Sequence, residues 1–339
     1  MLIVIKKNTN LELVKQLNFH LELEHVNGKL LQMRENQYLI DIRHSSKEQQ
    51  QIVENICNNQ SDFKNIIDKI SFYHNDKYCL VSRKIISEDT IVNIGGNLLG
   101  KGHFQIIAGP CAVESLEQMQ RTAECLKRNN VNIMRGCIYK PRTSPYDFQG
   151  IQEAGIEMML KIKEEFDMAI VAEATSAKRI PHLMSFADCI QIGARNCQNF
   201  DLLADAAKAG KPILFKRGMS TTVEEYLSAA EYFLANGCFD VLLCERGIKT
   251  FDTETRNCLD LGAVAALPYK THLPIITDPS HATGRPELVI PLSKATKAIG
   301  AHGVEIEVHY NRDTALCDAK QQLTLENFDT LCNELRKIN

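Results

Sequence analysis

The sequence predicts an α/β protein in which a small α+β module precedes a closed (β/α)8 barrel of the TIM type. Three observations predict it. From residue 104 onward short β-branched runs alternate with longer helical patterns at a regular pace. Eight such strand windows fit into about 230 residues, the length a barrel of this kind needs. Residues 1–72 have another character, rich in Asn, Gln and Glu.

In the first 72 residues "LIVIKK" and "QYLIDIRH" predict strands, and "LELVKQLNF" and "SKEQQQIVENICNN" predict helices, a βαβ-type arrangement. The stretch "KISFYHNDKYCLVSRK" leads out of the module. "EDTIVNIGGNLLGKGH", with its Gly-Gly and Gly-Lys-Gly turns, predicts a hairpin, so residues 73–103 are a connector. The barrel then takes residues 104–339. Its strand windows are "FQIIAG" (104–109), "NIMRGC" (132–137), "AIVAEA" (169–174), "CIQIGA" (189–194), "PILFKR" (212–217), "DVLLCE" (240–245), "PIITDP" (274–279) and "VEIEVH" (304–309). Segments such as "SLEQMQRTAECLKRNN" and "TVEEYLSAAEYFLANG" between them carry apolar residues at helical spacing and end near Asn or Gly. An open doubly wound sheet is the competing fold. It would carry a Gly-rich dinucleotide loop after its first strand, where this chain has "AGPCAVES".

Composition narrows the function classes. The 339 residues are 44% hydrophobic and 24% charged, ordinary globular material. A net charge of -3 with both signs interspersed leaves no basic face for nucleic acid or an anionic membrane. The start, "MLIVIKKNTN", is too short an apolar run for a secretory signal or a membrane span. Twelve cysteines are scattered without a Cys-x-x-Cys pair, which points to thiols in a reducing cytoplasm.

In such a barrel the chemistry sits at the carboxyl ends of the strands. Following the windows in order, those ends offer Cys111; Arg135 with Lys140 and Arg142; Glu173; Arg195; Lys216 and Arg217; Glu245 and Arg246; Asp278 and His281; Glu307 and His309, with Asp318 beyond. Any one charge at a strand end is ordinary, because strands end near water. A succession of them is not. Six or more cations around one mouth repel one another unless anions lie between them, so the mouth suits phosphate and carboxylate groups. Cys111, His281, Glu307 and Asp318 add sulfur, nitrogen and two oxygens. That mixed set suits one divalent transition ion, Mn2+, Fe2+, Co2+ or Zn2+, with a position open for a substrate oxygen. A lone Cys after a strand is otherwise a buried thiol; only a shared barrel mouth argues for more.

The stretch "YKPRTSPYDFQG" (139–150) is stiffened by Pro141 and Pro145. A stiff loop loses little entropy on gripping a ligand, and Lys140, Arg142, Thr143 and Ser144 offer the donors that phosphate or sugar oxygens need.

Together "AGPCAVES", "RGCIYKPRTSPYDFQG", "AEATS", "QIGARNCQNF", "LFKRG", "CERG", "DPSHATGR", and "IEVH" followed by "ALCDAKQQL" resemble the 3-deoxy-D-arabino-heptulosonate 7-phosphate (DAHP) synthases, in their short form with an amino-terminal ferredoxin-like domain. The motifs run in the same order through residues 104–325. The resemblance implies condensation of phosphoenolpyruvate with erythrose 4-phosphate, the first step of the shikimate pathway. It implies Cys111, His281, Glu307 and Asp318 as metal ligands, and Arg135, Lys140, Arg195, Lys216 and Arg246 as phosphoenolpyruvate contacts with Glu173 nearby. Arg142 and Thr143 are the implied holders of erythrose 4-phosphate, with Ser144 and Asp278 as further substrate contacts. It also implies tyrosine or phenylalanine as an effector of residues 1–72, and a homotetramer. Two functions remain as alternatives. One is 3-deoxy-D-manno-octulosonate 8-phosphate synthase or a related sialic acid synthase; the octulosonate enzyme typically has Lys-Ala-Asn-Arg-Ser where this chain has "KPRTS". The other is a non-catalytic amino-acid sensor. Cys317 beside Asp318 adds one expectation, a disulfide between Cys111 and Cys317 when metal is absent.

Overall fold

A computed structural model describes residues 1–33, 36–43, 45–72 and 77–338. The chain forms two compact units, Met1–Cys79 and Leu80–Asn339.

In the first unit the strands are β1 (Leu2–Ile5), β2 (Lys29–Gln32), β3 (Tyr38–Asp41) and β4 (Ile67–Ser71), with helices at Leu11–Leu23, Lys47–Asn59 and Ser61–Ile66. The sheet runs β2-β3-β1-β4, all antiparallel, which with the intervening helices is the βαββαβ arrangement of ferredoxin-like modules. Local chemistry starts the helices. Asn10 caps the first through the Glu12 amide, and Ser46 and Gln49 form a reciprocal capping box on the second. Ile3, Ile5, Leu17, Leu21, Ile40, Val53 and Phe63 fill the core between sheet and helices.

Two strands here were not predicted, and both are sheet edges. β2, "KLLQ", buries only Leu31, and β4, "IDKIS", occupies the start of the stretch assigned as a lead-out. An edge strand with one wet face shows little hydrophobic alternation; pairing with β3 and β1 decides its conformation. His44, which ends the second predicted strand, and residues 73–76 of the lead-out lie outside the described residues.

The second unit opens with a hairpin, β5 (Val92–Ile94) and β6 (Asn97–Leu99). Eight parallel strands follow: β7 (Gln105–Gly109), β8 (Ile133–Arg135), β9 (Ala169–Glu173), β10 (Cys189–Ile192), β11 (Ile213–Lys216), β12 (Val241–Glu245), β13 (Ile275–Thr277) and β14 (Gly303–Glu307). They close into a barrel when β14 pairs with β7, Gly303 opposite Gln105 through Glu307 opposite Gly109. Each strand window of the sequence holds one of them, except that β14 begins one residue before its window. Ile107, Ile133, Val171, Leu214, Leu242 and Ile276 form an apolar layer inside, and Val92, Ile94 and Leu99 of the hairpin seal it from the amino-terminal end. Because strand side chains alternate, the inward residues two positions further along point toward the opposite end, where the layer turns polar. No helix of the described residues is long and apolar enough to cross a membrane.

Candidate active site

At the carboxyl end of the barrel lies a cavity of about 340 Å3. Arg135, Lys140, Arg142, Arg195, Lys216 and Arg246 all line it, with Thr143, Glu173, His281 and Asp318. Most of the cations expected at the strand ends therefore meet in one space.

Two glycines make room for it. At Gly109 φ is +151°, and a Cβ would sit 2.6 Å from the Arg135 carbonyl oxygen. A Cβ on Gly193 would meet Glu173 Oε1 at 2.2 Å, so the carboxylate reaches its place only because that position carries no side chain.

Cys111, His281, Glu307 and Asp318 present one ligand atom each, all within 4.8 Å of one another. His281 Nε2 is 3.3 Å from Glu307 and 3.8 Å from Asp318, and Cys111 Sγ is 3.5 Å from Asp318 Oδ2. The ligands are oriented from behind. Asp278 caps the helix Pro279–Thr283, accepting from the His281 amide at 2.9 Å and from Nδ1 at 2.6 Å, which turns Nε2 toward the other ligands. Gln321 donates to Glu307 Oε2 and accepts from Arg256 at 3.1 Å. Burial pushes the Cys111 thiol well above its ordinary pKa. Glu307 is fully buried, and its Oε1 has no hydrogen-bond partner. A buried thiol and carboxylate with a half-buried imidazole and carboxylate are a donor set that a divalent ion fits.

Buried carboxylates hold several of the cations. Burial by itself would lower the Lys216 ammonium, but Asp278 at 2.5 Å and Glu305 at 2.8 Å outweigh it and raise its pKa. Asp278 is in turn held well below the usual carboxylate range; His281 and Lys216 overcome the opposing effect of its burial. Lys140, nearly buried, lies 3.6 Å from Glu173. Arg246 is lowered by burial, and its Nη1 is buried without a hydrogen-bond partner. Arg142 donates to Cys317 Sγ at 2.7 Å, and Cys317 Sγ is 2.8 Å from Cys111 Sγ, so the proline-stiffened loop reaches the ligand cluster. Cys111 and Cys317 are both free thiols.

Some expected residues sit elsewhere. Ser144 does not line the cavity; its hydroxyl accepts from the Tyr146 amide and its carbonyl from Gln149, so it shapes the turn. Asp278 is fully buried behind Lys216 and His281 instead of facing the space. Arg217 turns away and pairs with Glu245 at 2.9 Å and Asp260 at 3.0 Å, which removes two strand-end charges from the mouth. His309 stacks on Tyr310 behind β14. Conversely, Gln191, Lys249, Arg256 and Asn257 line the cavity and were not predicted. Gln191 was legible as an inward strand position; the other three come from loops, which carry no period.

Comparison with known proteins agrees with the geometry. The pattern of the DAHP synthetase I family matches residues 84–339. A phospho-2-dehydro-3-deoxyheptonate aldolase of Thermotoga maritima is 48% identical over 261 residues, covering 77% of each chain. The crystal structure of the Thermotoga maritima enzyme of that name, a DAHP synthase, superposes with a TM-score of 0.76 at 39% identity, covering 99% of this chain and 96% of that one. A 2-dehydro-3-deoxyphosphooctonate aldolase of Magnetococcus marinus is more distant, 28% identical over 76% of this chain and 93% of its own. With three quarters of its length matched by the family pattern and its barrel built as that of a solved member, the chain belongs to the DAHP synthetase I family.

Proposed function

We propose that the chain is a 3-deoxy-7-phosphoheptulonate synthase, joining phosphoenolpyruvate to erythrose 4-phosphate to give DAHP and inorganic phosphate. The observation that carries this reading is the meeting of eight cations in one cavity with His281 and Asp318 of a four-residue ligand set, in a chain belonging to this family.

Cys111, His281, Glu307 and Asp318 would hold one divalent ion, and when bound it supplies Lewis acidity to the aldehyde oxygen. Arg195, Lys216 and Arg246 hold the phosphate of phosphoenolpyruvate and Arg135 its carboxylate. Arg142 and Thr143 hold erythrose 4-phosphate with its aldehyde facing carbon three of phosphoenolpyruvate, the attacking atom. Water adds at carbon two, and the hemiketal phosphate loses phosphate by carbon–oxygen cleavage. Lys140 Nζ gives and takes the proton of the sugar oxygen, and Glu173 orients the water. Asp278, behind Lys216 and His281, positions both.

We assign the βαββαβ module to feedback by tyrosine or phenylalanine, and the assembly to a homotetramer; the module's standing as a separate compact unit supports a separate task. The stiff "KPRTS" loop, held against the ligand cluster through Arg142 and Cys317, favours the four-carbon aldose phosphate over arabinose 5-phosphate.

The test is phosphate release with phosphoenolpyruvate and either erythrose 4-phosphate or arabinose 5-phosphate, with and without each aromatic amino acid. Turnover with erythrose 4-phosphate that a chelator abolishes is expected. Preference for arabinose 5-phosphate, or no release with either aldose, overturns the reading.

A further inference from the structure

Glu305 has no part in the chemistry above, yet it lies at its floor. It is fully buried on β14, two residues before Glu307, so strand alternation puts both carboxylates on the inward face. Neighbouring strands place apolar residues in the adjoining interior layer, Leu214, Leu242 and Ile276 among them. An ionisable side chain with no access to water is costly there unless it is paired.

Its partners are specific. Oε1 is 3.1 Å from Arg135 Nη1 and Oε2 is 2.8 Å from Lys216 Nζ, so each oxygen takes one cation from a different strand. Both cations line the cavity on their other side. Neither carboxylate oxygen makes a directed hydrogen bond, and Arg135 Nε and Nη1 also lack one; the attraction is coulombic, and Arg135 keeps unused donors. Arg135 is otherwise tied through Nη2 to Glu307 at 3.2 Å and to the Cys111 carbonyl at 3.4 Å, and Lys216 to Asp278 at 2.5 Å. Those contacts lie to either side of Glu305. Without it nothing links the two cations, and each would swing toward the carboxylate left to it.

We propose that Glu305 is a positioning residue that clamps Arg135 and Lys216 side by side beneath the cavity, and so sets the affinity for the three-carbon carboxylate phosphate. This rests on the assignment of those two cations to phosphoenolpyruvate. The clamp acts on binding and not on the chemical step, because it touches the cations from the side away from the reacting atoms. Two opposed effects can be separated by sign. Removing a negative charge without moving the cations strengthens anion binding, whereas losing their alignment weakens it. Positioning requires the second.

The experiment compares wild type with Glu305→Gln, which keeps the shape and loses the charge, and Glu305→Asp, which keeps the charge and withdraws it by one methylene. Expected for Glu305→Gln is a KM for phosphoenolpyruvate raised about tenfold or more, with kcat and the KM for erythrose 4-phosphate within about twofold. Glu305→Asp is expected to fall between. A second readout needs no turnover: the thermal shift that phosphoenolpyruvate gives the metal-free protein shrinks in the same order. An unchanged or lowered KM for phosphoenolpyruvate in folded Glu305→Gln overturns the proposal. If Glu305→Gln does not fold, an unchanged phosphoenolpyruvate shift in Glu305→Asp overturns it. Wild type that binds phosphoenolpyruvate but releases no phosphate would defeat the synthase reading alone, leaving the clamp to be judged on binding.

Discussion

Replacing Asp278 by Asn should weaken metal binding without emptying the ligand set. Asp278 is fully buried and accepts from the His281 amide, from His281 Nδ1 at 2.6 Å and from Lys216 at 2.5 Å. Asn carries no charge: with its oxygen in the Oδ1 place it keeps the helix cap but turns its NH2 on Nδ1 and Lys216, and with its oxygen in the Oδ2 place it keeps those two only through weaker neutral bonds and turns its NH2 on the His281 amide. A lost charge-assisted bond is worth about 1.5–3 kcal/mol. Breaking a buried pair costs about 3–5 kcal/mol, and the lower end applies because Lys216 keeps a second carboxylate. That carboxylate is Glu305, at 2.8 Å. A folded protein, destabilised by about 3 kcal/mol, is therefore expected. The imidazole loses the acceptor that fixes its tautomer, and loss of such an outer partner weakens a metal by about 10–100-fold, or about 1.4–2.8 kcal/mol. Competition of Mn2+ or Zn2+ against a chromophoric chelator measures this, with circular dichroism to certify the fold. A dissociation constant within about twofold of wild type in a folded variant would refute the idea that Asp278 aims His281 at a metal.

Further outcomes follow from other contacts. Gly193→Ala puts a methyl 2.2 Å from Glu173 Oε1, so Glu173 must shift; turnover should fall about tenfold or more, and unchanged kcat would show that Glu173 has no place in the reaction. Burial holds the His272 imidazole down to about 4, with Nε2 donating to the Leu80 carbonyl and Nδ1 accepting from Thr90. Its neutral form is favoured in the fold, so its contribution is complete above pH 6.5 and is lost as pH falls toward 4; the span is worth about 3 kcal/mol. Urea denaturation at both ends of that window, in wild type and His272→Gln, should show a shallower loss in the variant. Finally, with metal chelated and hydrogen peroxide added, Cys111 and Cys317, whose sulfurs are 2.8 Å apart, should form a disulfide that added divalent metal suppresses. Peptide mapping that finds both thiols free after such treatment removes that prediction.

Much of this molecule follows from period and order in the chain. The alternation of β-branched runs with amphipathic helices is enough to predict a closed barrel, because each βα unit buries its apolar face only against its neighbours, and eight of them close. A barrel also dictates where its strand ends go, which is why Cys111 and Asp318, 207 positions apart, could be expected in one place. What stayed hidden depends on direction and on partners. Edge strands β2 and β4 gain their conformation from pairing, and no local signal announces it. Arg217 and Lys216 are neighbours in sequence, but alternation sends one into the cavity and the other to Glu245 and Asp260. Asp278 reads as a strand-end substrate contact and Glu305 has no reading at all, and only their burial against cations makes them supports for the site. Sequence determines which strand ends surround the mouth of the barrel; side-chain direction and charge pairing in a dry interior, properties of three dimensions, decide which residues enter it and what each does there.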